Sequence, residues 1–71
     1  MELTDKEKKL LEDQLEFEYL CMHKYQAYAS QASDPQIKNI FNIVYEQEVK
    51  HANIIKSLLQ QGGFQPPQEQ Q

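Results

Sequence analysis

Ala32-Ser33-Asp34-Pro35-Gln36 decides the fold. Ser33 or Asp34 can accept hydrogen bonds from the free N–H groups that open a helix. Pro35 suits the first helical position, where no N–H is needed. Upstream, no Gly or Pro interrupts the chain from Thr4 to Ala32. Thr4 with Glu7 three residues later forms a capping-box pattern. Downstream, the chain runs unbroken to Gln61, and Gly62 then reads as a C-terminal cap with Gly63 behind it. The pattern predicts two helices, about 4–32 and 35–61, within one unit over residues 1–63. A turn this short between long helices makes an antiparallel hairpin. Strand signals and internal repeats are absent. Gln65-Pro66-Pro67-Gln68-Glu69-Gln70-Gln71 predicts a flexible polar tail over residues 64–71.

Both helices carry wide apolar stripes. In the first, Leu11, Leu15, Met22, Tyr25, Ala29 and Ala32 recur at steps of three and four, with Glu18 at the one polar position. Leu10, Phe17, Cys21 and Tyr28 widen it. In the second, the series is Ile37, Phe41, Val44, Glu48, His51, Ile55 and Leu58, broadened by Ile40, Ile43, Ile54 and Leu59. Stripes this broad suit a bundle. A lone hairpin would leave much of that surface in water, so the pattern predicts a two-fold homodimer closing a four-helix bundle. Seventy-one residues with one cysteine have no internal disulfide to staple a small core. Metal or oligomerisation is the expected source of the missing stability.

The ionisable residues of the stripes fall at one height. Glu18 lies sixteen residues before Asp34, Glu48 fourteen after it and His51 seventeen after it. At about 1.5 Å per residue, the hairpin brings Glu18 level with a point between Glu48 and His51. A lone Glu-x-x-His arises by chance in on the order of one chain in ten of this size. A third carboxylate at the same height makes coincidence a poor account. Doubling by a two-fold axis gives four carboxylates and two imidazoles. By formal count, two divalent ions balance the four negative charges. Mixed oxygen and nitrogen donors suit iron or manganese, with zinc as a substitute. The competing structural reading is a buried polar layer that fixes helix register. Tyr25, two turns beyond Glu18, is a candidate for hydrogen bonding to a ligand or for electron transfer. Cys21 and Tyr45 read as packing residues, and His23, Glu16 and Glu46 as surface residues.

A net charge of −4 argues against nucleic acid and anionic membranes as partners. No apolar run approaches the roughly 20 residues of a membrane span. The start, Met1-Glu2-Leu3-Thr4-Asp5-Lys6, lacks the apolar core of a signal peptide. With one free thiol, this predicts an intracellular location.

Glu18, Tyr25 seven residues on, and Glu48-x-x-His51 resemble one half of a ferritin-like or rubrerythrin-like bundle. That resemblance implies terminal metal ligation by Glu18 and His51, bridging by Glu48, and Tyr25 beside the site. It also implies two iron ions per dimer and chemistry with dioxygen or peroxide. Over nearly the whole chain, the turn Ala32–Gln36, the Glu-x-x-His helix and the exit Gln60-Gln61-Gly62-Gly63-Phe64-Gln65-Pro66 are similar to the spore coat protein F family. This implies a structural alternative, with other coat proteins as partners and the spore coat or cytoplasm as location. The chain departs from full-length ferritins and rubrerythrins in having one helix pair and no Cys-x-x-Cys iron site.

Overall fold

The computed structural model describes residues 1–69. Helix α1 spans Asp5–Gln31 and helix α2 spans Pro35–Gln61, 27 residues each. At about 1.5 Å per residue each is about 40 Å long, and the molecule measures 46 × 18 × 15 Å. No strand occurs among the described residues. Thr4 Oγ1 accepts from the Glu7 backbone N–H at 3.0 Å, while Glu7 Oε1 accepts from the Thr4 N–H at 2.9 Å. Asp34 Oδ1 caps α2, accepting from Gln36 N–H at 2.8 Å. Of the two side chains the sequence offers, Ser33 and Asp34, it is Asp34 that builds the turn, and Pro35 opens α2 without leaving a donor unmet.

Leu15, Tyr19 and Met22 of α1 pack with Ala52, Ile55 and Leu59 of α2. Leu15 and Leu59 are fully buried. Leu3, Leu11, Tyr45, Val49 and Phe64 flank this core. In α2 the buried face is turned by about one residue from the expected seam. Ala52 and Leu59 are buried, whereas Ile37 and His51 of the expected series are exposed. The stripe is wider than one helix–helix contact. The chain's own α1 covers the Ala52 side, and the Ile37–His51 side borders solvent.

The end of α2 is closed by a Schellman motif. The Phe64 N–H donates to the Leu59 carbonyl and the Gly63 N–H to the Gln60 carbonyl, both at 2.9 Å. The left-handed residue is Gly63, at φ 85°, while Gly62 remains helical. Gly62 makes room instead: a Cβ there would lie 2.7 Å from Leu3 Cδ1, so the Leu3 side chain would have to shift.

Residues 64–69 run back along the hairpin. Pro66 is buried, and the Tyr19 hydroxyl donates to the Pro67 carbonyl at 2.9 Å. His23 Nε2 lies 3.1 Å from Glu69 Oε2, and the Lys8 ammonium sits 4.8 Å above the Phe64 ring. Prolines bring no N–H to desolvate, so they can lie on a protein surface at low polar cost. A buried tyrosine hydroxyl in turn needs an acceptor. Composition registers the polar residues of this segment but not the surface waiting for them. The last two residues of the expected tail, 70 and 71, lie outside the described ones.

Helical phase divides the hairpin into two flanks. The tail occupies one, beside Tyr19 and His23 of α1 and Lys56 and Gln60 of α2. The opposite flank carries Leu10, Phe17, Tyr28, Ile40 and Ile54, all exposed.

Candidate metal centre

Glu18, Glu48 and His51 meet where the core gives way to the open apolar flank. One ligand atom from each lies within 4.8 Å of the other two. His51 Nδ1 is 3.7 Å from Glu18 Oε2 and 3.7 Å from Glu48 Oε1. The Glu18 and Glu48 side chains are only 8% and 16% exposed, whereas that of His51 is 56% exposed. The two carboxylates are thus held inside, and the imidazole reaches over them from the solvent side.

These spacings are too long for hydrogen bonds. They suit donors placed around a cation, since ligands about 2.0–2.2 Å from one ion stand roughly 3–4 Å apart. Glu18 Oε2 is buried and has no hydrogen-bond partner among the described residues. An unpartnered buried carboxylate oxygen is costly. The donor set therefore fits a divalent metal, and a cation would satisfy the oxygen that the protein leaves bare.

The Glu48 carboxyl is held above the usual carboxylate range, first by the facing Glu18 carboxyl and then by burial. His51 and Lys24 oppose the rise. Without metal, Glu48 is driven to keep its proton, and a divalent ion would displace it. The Cys21 thiol is also raised, by burial and then by the charges of Glu48 and Glu18. It stays protonated as a half-buried packing residue.

Tyr25 packs toward the hairpin turn. Its ring stacks on Phe41 at a centroid distance of 6.2 Å and meets Tyr28 edge-on at 6.0 Å. Along α1 it stands about 10 Å from Glu18. His23 is partly covered by its contact with Glu69 rather than free on the surface. Gln14 was not singled out by sequence, yet its Nε2 donates to Glu18 Oε1 at 2.7 Å. The one sequence signal for it is the i, i+4 spacing of an amide and an acid on the same helix face.

An all-α helical hairpin with a carboxylate–imidazole cluster at mid-height is the class that fold and site define. The rubrerythrin family model matches residues 9–70, most of the chain, and the chain belongs to that family. No curated protein and no solved structure matches it.

Proposed function

We propose that two copies of this chain pack open flank to open flank and bind two iron ions between them, with Glu18, Glu48 and His51 of each copy as ligands. The observation that carries this is the convergence of the three side chains around the unpartnered Glu18 Oε2. Rubrerythrin membership supports iron as the metal, and manganese or zinc suits the same donors. When bound, the two ions supply the electrons for oxidoreductase chemistry with dioxygen or peroxide. The protein's own residues do the rest. Glu18 and Glu48 provide buried negative charge that draws in the cations. Glu48 gives up its proton as they enter. His51, exposed in the single hairpin, is covered by the second copy, which excludes water from the centre. Tyr25, held in its aromatic cluster about 10 Å along α1 from Glu18, is the residue that would take part in electron transfer.

Anaerobic Fe(II) titration with parallel sedimentation tests this. Saturation near two ions per dimer is expected, with binding lost in Glu48→Ala and His51→Ala. Admission of air should oxidise the bound Fe(II) and consume dioxygen. A monomer at saturation, or wild-type binding by both variants, would overturn the proposal.

A second reading is structural: the centre staples a dimer that belongs to a larger assembly, such as a spore coat. The breadth of the exposed apolar flank favours it. Repeated turnover with added reductant and peroxide separates the two, since a structural staple would give none.

A further inference from the structure

The Glu18 carboxylate has two oxygens in different situations. Oε1 accepts a short, 2.7 Å hydrogen bond from Gln14 Nε2. Oε2 has no partner, is buried, and is the oxygen that lies 3.7 Å from His51 Nδ1. An ionised carboxylate only accepts, so the Gln14 group turned toward it is the amide NH2. A hydrogen bond to a charged acceptor is both strong and directional. Here it fixes the rotation of the carboxylate and decides which oxygen turns inward. Gln14 is one turn before Glu18 on α1. Its side chain lies on the open flank and is exposed in the single hairpin.

We infer that Gln14 is the positioning residue of the metal centre: it ties down Glu18 Oε1 and so presents Oε2 as the oxygen that meets the metal. This rests on the metal reading proposed above. Gln14 does not itself touch the ion. Its contribution is that Glu18 needs no rearrangement when metal enters, since the free oxygen is already aimed at the space shared with Glu48 and His51. Outer groups that orient a ligand in this way are worth roughly ten- to a hundredfold in metal affinity.

The test uses the full chain and two probe ions without redox chemistry of their own here, Zn(II) by competition titration and Co(II) by its visible absorption. Gln14→Met keeps the length of the side chain but removes the donor, and Gln14→Ala removes both. Both variants are expected to bind Zn(II) roughly ten- to a hundredfold more weakly than wild type. The Co(II) spectrum should change in both. Helix content and the metal-free melting temperature should stay at wild-type values. Wild-type affinity and spectrum in Gln14→Met would overturn the role of Gln14 while leaving the metal reading intact. Weaker binding that comes only with a lower metal-free melting temperature would make Gln14 structural and also overturn it. A wild-type chain that binds neither ion would overturn the metal reading, and this inference with it.

Discussion

Glu48 carries the cost of the metal-free centre. Its carboxyl holds a proton more tightly in the folded chain than in the unfolded one, chiefly through Glu18. The folded state therefore binds more protons, and stability falls as pH rises. The loss begins near the ordinary value of 4.5 and is complete above the raised folded value. Glu48→Gln removes this charge but keeps the shape. In chelator at neutral pH the variant is expected to melt above wild type, and its melting temperature should vary less across the acidic range. A lower melting temperature than wild type under those conditions would contradict the assignment. The same substitution should abolish metal binding, because it deletes a ligand charge. Stability and metal affinity are thus expected to move in opposite directions at this one residue.

At the level of the elements, the ends of the helices are set by side chains and glycines that the sequence displays openly. Gly63 is the cleanest case. Its φ is 85°, and nothing would lie within 4 Å of an added Cβ. Gly63→Ala therefore tests backbone conformation alone and is expected to cost about 1 kcal/mol in urea or thermal unfolding. The tail depends on a different kind of contact. Tyr19→Phe removes the hydrogen bond to the Pro67 carbonyl, at a cost of about 1 kcal/mol. Limited proteolysis should then cut within residues 64–69 faster than in wild type, with the hairpin preserved. An unchanged cleavage rate would show that apolar contact at Pro66 suffices to hold the segment.

The whole molecule has two flanks with different fates. The tail covers one, so a second copy has the other available. Ile54, on that open flank, is 60% exposed. Ile54→Glu therefore leaves the hairpin core untouched and places a charge where the second copy is expected to dock. Sedimentation should show the dimer weakened at least about tenfold, equivalent to about 1.4 kcal/mol. Helix content should be unchanged, and Fe(II) binding should weaken in step with the dimer. Full dimerisation by this variant would place the interface elsewhere. No helix among the described residues is long and apolar enough to cross a membrane.

Much of this was legible in the sequence because it depends on local chemistry. Thr4 with Glu7, and Asp34 with Pro35, fix where helices begin, since capping involves residues at most three apart. Counting outward from the turn placed Glu18, Glu48 and His51 at one height, because helical rise is constant. Three features were settled only by tertiary structure. The buried face of α2 centres on Ala52, because a wide stripe offers more than one face and only packing against α1 selects among them. The prolines of the tail found Tyr19 and its hydroxyl, forty-eight residues away in sequence. Gln14 took one Glu18 oxygen and left the other bare, a choice of rotamer that no spacing rule contains. Sequence determined which groups meet, through periodicity; the fold decided how each one is turned, through packing and the demand that buried polar atoms find partners.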